Sequence, residues 1–308
     1  MKEIKRLLIV LAIGFIFFFG LISQALSCVG ARAMALGGAF IALADDVNAV
    51  YWNPAGLTQL QQKELTYTRT IFNRDEFNYD DFIAFVQPVA KGRGAIGFSY
   101  INSGYNLWDF RTVSRWYVLS CGVRILKNLS LGGNIRYQYD RISRFEYMVG
   151  FKTDDDTSMG IDLAIHWKPI PQVSMGLLVQ SFNEPRINIF SYSSLYMRNV
   201  RPSIAFYPTD NITCIIEMYD AEKKSEHDYV DVSQDLRIGF EDRITDNFSL
   251  RGGAYHFNSI TDGLKAYTFG YGYTFPKIPF SIDYLLMHWT SNVDAKSYTH
   301  QLGIMYRW

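Results

Sequence analysis

The 308-residue chain has three cysteines, nine prolines and no net charge. Three cysteines do not make a disulfide framework. Cys28 lies near the N-terminus, and Cys121 and Cys214 fall in strand-like runs far apart, where free thiols behave as small apolar groups. Thirty basic residues against thirty acidic ones leave no electrostatic footprint for nucleic acid, so none is expected as a partner. Beyond the first 27 residues no apolar run reaches the length of a spanning helix. The five histidines, His166, His227, His256, His288 and His300, show no metal-ligand spacing. No Gly-x-Ser-x-Gly elbow is present. Asp154, Asp155 and Asp156 form a carboxylate run without the spacing of a calcium loop, and read as a solvated loop. No catalytic residue, metal or cofactor is assigned, and no enzyme is expected.

What the chain does have is aromatic side chains, 16% of residues, with 23 glycines. From residue 62 onward they fall into alternating runs. One face of residues 129–139 reads Leu129, Leu131, Gly133, Ile135, Tyr137, Tyr139, and the other Ser130, Gly132, Asn134, Arg136, Gln138. Residues 265–275 and 298–308 behave alike. A strand sends successive side chains to opposite faces, so each run has an apolar face and a polar or small one. About fourteen such runs are found, near 62–71, 79–89, 93–102, 114–125, 129–140, 158–168, 172–182, 199–208, 211–220, 232–241, 246–256, 263–275, 279–288 and 297–308. Most have about ten residues, the length of a tilted strand crossing a bilayer.

The connections alternate too. Short links, such as 91–92, 127–128 and 209–210, are interleaved with long polar ones at 71–78, 103–113, 141–157, 183–198, 221–231, 257–262 and 289–296. Short turns at one end and long loops at the other are the layout of an outer-membrane barrel. A soluble sandwich would alternate as well, but no linker divides the chain and Trp108, Trp116, Trp167, Trp289 and Trp308 stand at run ends, where an interfacial girdle belongs. The expected fold is all-β, a transmembrane barrel of about 14 antiparallel strands over residues 62–308. Arg124, Arg136, Asp162, Glu217, Asp235, Arg237, Arg251, Asp283 and Arg307 share the polar phase of their strands and are the candidates for lining the lumen.

Residues 1–27 have another texture. Lys2, Lys5 and Arg6 precede an apolar run over 7–22, then SQALS. This is the layout of a secretory signal peptide. Cleavage before Cys28 puts Ala25 and Ser27 at the small-residue positions, and cleavage after Ala25 competes with it. A retained membrane helix and acylation of Cys28 are the other readings. All of them take the chain out of the cytoplasm.

Between leader and barrel lie residues 28–61, rich in Ala and Gly and without period two. Small residues let compact turns pack closely, and Pro54-Ala55-Gly56 forces a turn. About 30 residues suit a plug for a fourteen-stranded barrel, whose lumen would otherwise stand open. The strings Gly30-Ala31-Arg32, Leu36-Gly37-Gly38-Ala39-Phe40, Ala44-Asp45-Asp46 and Asn53-Pro54-Ala55-Gly56-Leu57 resemble the start of FadL/TodX-type outer-membrane proteins and of the related PorV/PorQ group. The C-terminal Leu302, Ile304, Tyr306 and Trp308 resemble the terminal strand by which such barrels are recognised for assembly.

The resemblance implies an outer-membrane barrel of a Gram-negative-type bacterium with an N-terminal hatch, in which Asn53, Pro54, Ala55 and Gly56 belong to the gate. It implies passive uptake of hydrophobic small molecules such as long-chain fatty acids. The alternative, from the PorV/PorQ branch, is a scaffold for secretion or surface attachment. The implied partners are outer-membrane lipids and lipopolysaccharide, a hydrophobic ligand and the barrel-assembly machinery. Against a greasy tunnel, the inward faces are polar, and ligand pockets are mostly apolar. Phe190, Tyr192, Leu195, Tyr196 and Met197 in a long loop are candidates for an access groove.

Overall fold

A computed structural model describes residues 29–72, 79–89, 92–107, 110–146, 150–190, 192–222, 226–227, 230–231, 234–256, 265–290 and 297–308. The leader, Cys28 and Trp108 lie outside them. The strands are β1 (Glu64–Phe72), β2 (Tyr79–Val89), β3 (Gly94–Leu107), β4 (Phe110–Leu126), β5 (Leu129–Glu146), β6 (Gly150–Ile170), β7 (Val173–Gln180), β8 (Arg186–Ile189), β9 (Tyr192–Leu195), β10 (Asn199–Phe206), β11 (Ile212–Tyr219), β12 (Glu226–His227), β13 (Val230–Asp231), β14 (Asp235–Arg243), β15 (Phe248–Tyr255), β16 (Lys265–Thr274), β17 (Phe280–Thr290) and β18 (Ser297–Arg307).

Fourteen of these close a barrel in the order β1-β18-β17-β16-β15-β14-β11-β10-β7-β6-β5-β4-β3-β2. Every pairing is antiparallel, and β1 meets β18 with Glu64 opposite Arg307 and Phe72 opposite Thr299. The remaining four form two hairpins, β8-β9 and β12-β13, within the long links after β7 and β11. Lys63 and Trp308 exchange main-chain hydrogen bonds at 3.1 Å, so both ends of the barrel chain lie on the short-turn side.

Alternation builds two different surfaces. Leu119, Ile135, Ile161, Phe269, Leu302 and Ile304 are exposed on the outer face, while Ser99, Ser120, Asn134, Ala164 and Gln301 are buried. Large apolar groups displayed outward on a closed barrel match a hydrocarbon surround. Tyr100, Tyr117 and Tyr137 are paired across β3, β4 and β5, with ring centroids 5.0 and 6.1 Å apart. From Tyr117 down to Ile125 the strand runs about 27 Å, or about 20 Å of height at a tilt near 40°. At the short-turn end Trp308 stacks on Tyr306 and Phe85, 5.0 and 5.9 Å away. These two belts bound the apolar zone. Among the described residues no helix is long and apolar enough to cross a membrane; the strands cross instead.

Three sequence expectations need correction. The described parts of the links at 103–113 and 141–157 are strand, not loop. There β3 to β6 continue as a ladder of 14, 17, 18 and 21 residues, rising past strands that are otherwise 8–11 residues long. Asp154, Asp155 and Asp156 therefore belong to β6, and two of them are not simply solvated. Asp154 accepts from the Phe190 N–H and Asp156 from the Asn188 N–H, both at 2.6 Å, which ties the β8–β9 loop to the extension. Trp116 and Trp289 are not girdle residues. Trp116 is buried in the interior, and Trp289 packs on the interior cluster; Tyr117 takes the outward position beside Trp116.

Candidate functional site

Residues 29–60 form α1 (Ala31–Ala35), α2 (Ala49–Trp52) and a 3-10 turn (Pro54–Gln59). Helices of four and five residues have no stability of their own. They hold because the segment lies inside the ring of strands. It bonds to the wall on opposite sides: Gly37 N–H to Thr268 of β16 at 3.2 Å, Ala42 N–H to Ser203 of β10 at 3.3 Å, Val47 N–H to Glu64 of β1 at 2.8 Å and Thr58 to Ser130 of β5 at 2.7 Å. Almost every residue from Val29 to Leu60 is buried.

Small wall residues make this possible. A Cβ added at Gly253 would lie 2.2 Å from the Gly37 nitrogen, and one at Gly176 would lie 2.5 Å from the Ile41 oxygen. Gly122, Gly132 and Gly239 likewise meet the backbone of Pro54, Ala55 and Leu36. Gly37 itself has φ +64°, and a Cβ there would lie 2.5 Å from the Ile238 oxygen, so both its conformation and its room demand glycine. The sequence reading had not connected these wall glycines with the plug.

Asn53, Pro54, Ala55 and Gly56 sit together near the C-terminal end of the segment. The Asn53 Oδ1 accepts from Ala55 N–H at 3.0 Å, capping the turn that Pro54 begins. Its Nδ2 donates to the Ile41 oxygen at 2.8 Å and to the Ile165 oxygen of β6 at 3.1 Å. Gly56 packs against Ala44, where a Cβ would lie 2.4 Å from the Ala44 oxygen. The Ala42 carbonyl accepts from Ser174 at 2.7 Å and lies 3.0 Å from the His166 ring nitrogen.

The inward charges are joined in two groups. Toward the short turns, Arg32 of α1 reaches Asp45 at 2.7 Å, Asp46 at 2.9 Å and Glu241 of β14 at 3.0 Å. Glu241 and Asp283 each contact Arg251 at 2.6 Å, and Arg307 pairs with Glu64 at 3.0 Å. Burial lowers the Arg32 pKa, but Asp45, Glu241 and Asp46 overcome it and hold the guanidinium well above its usual value. Arg124 donates to the Thr58 carbonyl.

Toward the long loops, Arg136 pairs with Asp162 at 3.0 Å, Arg201 Nε bonds Glu217 at 3.1 Å, and Arg237 pairs with Asp235 at 2.9 Å. The other Glu217 oxygen accepts from the Phe40 and Ile41 N–H groups. Arg136 lies 5.1 Å over Trp116, and Arg201 lies 5.1 Å over Trp52. Tyr51 of α2 points into this group: burial pushes its hydroxyl pKa up against the opposing pull of Arg201, Arg136 and Arg237. On nearby β3 and β5, Ser99 Oγ, Ser103 Oγ, Arg136 Nε and Gln138 Nε2 are buried without a protein partner. This group of side chains combines aromatic faces with a few polar atoms.

All nine residues nominated for the lumen thus sit on the inner wall, and they are ion-paired or bonded to the segment. Arg32, Asp45, Asp46, Glu64, Tyr51, Arg201 and Glu241 were missed. The wall members could have been found by phase, because Glu241 stands opposite Arg251 and Glu64 opposite Arg307. Of the proposed groove residues, Tyr196 turns inward and donates to Asp140 at 2.8 Å, Phe190 lies 4.3 Å beneath Arg144, and the Tyr192 side chain lies outside the described set. Among the described residues no cluster fits a metal ion.

No protein-family model matches the sequence, and no curated protein matches it. Solved structures do. The toluene transporter TbuX of Ralstonia pickettii superposes with a TM-score of 0.70 at 12% identity, over 92% of this chain and 99% of that one. A FadL homologue of Pseudomonas aeruginosa gives 0.68 at 13%, over 91% and 97%. The toluene transporter TodX of Pseudomonas putida gives 0.64 at 10%, over 90% and 97%. With its closed fourteen-stranded barrel, the chain has the fold of the FadL/TodX-type outer-membrane transport proteins.

Proposed function

We propose that this protein is a passive outer-membrane channel for hydrophobic small molecules, exported by its N-terminal leader, and that residues 29–60 act as its hatch. The observation that carries the reading is the seating of that segment. It crosses the lumen, yet it is held to the wall by short polar bonds through Asn53, Ala42 and Glu217 and by close backbone contact at wall glycines. Each such bond contributes about 1 kcal/mol net, so the set can be exchanged as the segment shifts while the barrel ladder stays intact. The transporters of the same fold favour uptake over a scaffold role. Long-chain fatty acids are one candidate cargo. The loop-side cluster of Trp116, Tyr51 and paired arginines suits contact with a molecule that has an apolar body and a polar end.

A reversible lock tests the gate. A Cβ at Gly303 of β18 would lie 3.4 Å from the Ala31 Cβ, close to the separation in a disulfide. In a Cys121→Ser, Cys214→Ser background, Ala31→Cys with Gly303→Cys would bind segment to wall. Uptake of radiolabelled oleate or toluene by cells should fall on oxidation and return on reduction. Uptake by the double-cysteine variant that is unaffected by oxidation of the pair would reject hatch gating, and a parent that takes up neither compound would reject the cargo class.

A further inference from the structure

Above the tyrosine row the outer face of the barrel changes abruptly. Two residues beyond Tyr117 comes Arg115, opposite Tyr139; next comes Val113, opposite Arg141; then Arg111, opposite Ser143. Arg111, Arg115 and Arg141 are all exposed, and they surround Val113 as cross-strand and diagonal neighbours on one face. Two of them are stiffened by rings: Arg115 lies 5.9 Å from the Tyr139 centroid and Arg111 4.7 Å from that of Phe151.

Inside the barrel, Arg32, Arg136, Arg201, Arg237, Arg251 and Arg307 have carboxylate partners, and Arg124 donates to the Thr58 carbonyl. Among the described residues the three outer arginines have no carboxylate partner. Asp155 faces Arg141 in register without coming within ion-pair distance, and among the described residues it is the acidic residue on this stretch of outer face. Its described residues carry a surplus of two positive charges. Its height is set by the ladder: it begins about 5 Å and ends about 15 Å above the tyrosine belt, by strand rise and tilt. That is the headgroup layer of the outer leaflet.

An unpaired guanidinium triangle at that depth matches phosphate groups, which guanidinium binds by paired N–H donors. We propose that the outer face of the β4–β5–β6 extension, centred on Arg111, Arg115 and Arg141, binds the phosphates of outer-leaflet lipopolysaccharide. The inference rests on the placement of the barrel in an outer membrane. It also gives the long extension a use, since strands of 8–11 residues would end below the phosphates.

The test uses the full chain in detergent, with purified lipopolysaccharide and the same material stripped of its lipid A phosphates. Binding is read by native mass spectrometry and thermophoresis. Replacing all three arginines (R111Q, R115Q, R141Q) is expected to weaken binding about 100-fold, as roughly five-fold per arginine at an anionic surface. The dephosphorylated material should bind the parent equally weakly. Arg69→Gln, on the outer face but already paired with Asp81, should leave binding unchanged. Heat-modifiable gel mobility reports whether each variant keeps its barrel. Equal binding by parent and triple variant, or no loss on removing phosphate, overturns the proposal. Membrane fractionation of the parent separately tests the location on which it rests.

Discussion

The side-chain amide of Asn53 donates to the main-chain oxygen of Ile165 in β6 at 3.1 Å, while its own oxygen caps Ala55. One planar group thus joins turn, segment and wall. Asn53→Ala removes the bonds to the Ile41 oxygen, the Ile165 oxygen and the Ala55 N–H. The expected loss is about 1–3 kcal/mol, read as a lower urea midpoint for protease cleavage within residues 29–60. Asn53→Asp keeps the cap but turns a carboxylate toward two carbonyl oxygens, and should lose more.

Gly253→Val tests the barrel apart from the segment seated in it. The added Cβ would lie 2.2 Å from the Gly37 nitrogen, and backbone cannot yield as a flexible side chain can. Displacement of the segment is the expected result, with larger single-channel conductance in planar bilayers and an unchanged heat-modifiable barrel band. Wild-type conductance from a fully folded variant would contradict this seating.

Arg32→Gln leaves Asp46, buried with its charge, without its partner, while Glu241 keeps Arg251. Removing one partner of a buried pair costs about 3–5 kcal/mol. The segment should become protease-sensitive in native membranes. Arg32→Gln combined with Asp46→Asn should recover part of the loss.

Trp308 closes the barrel through its main-chain exchange with Lys63 and stacks on Tyr306 and Phe85. Deleting it removes both the bonds and the ring. The folded fraction in outer-membrane preparations should fall several-fold, whereas Trp308→Phe should keep most of it.

Much of the barrel was legible because period two survives wherever a strand has a lipid side and a lumen side. The run at 79–89 coincides with β2. Legibility failed where the strand leaves the membrane. With water on one side, Asp154, Asp155 and Asp156 alternate in direction but not in polarity, so a strand looked like a loop. Trp116 was misplaced for a related reason: Trp and Tyr at 116 and 117 are both aromatic, and only the buried phase of Val118 and Ser120 tells which ring faces in. The charged wall residues were visible by phase, but their partners Arg32 and Asp46 lie in a segment without a period, whose position is fixed only by contact.

That dependence has a consequence for how the molecule assembles. The surfaces that shape residues 29–60 come from strands spread over the whole chain, from Glu64 to Thr268. Until the last strand has met the first, no seat exists for α1, α2 or the turn at Pro54. Although it is synthesised before every strand of the barrel, this segment is the last part to fold, and closure of the wall is what gives it a shape.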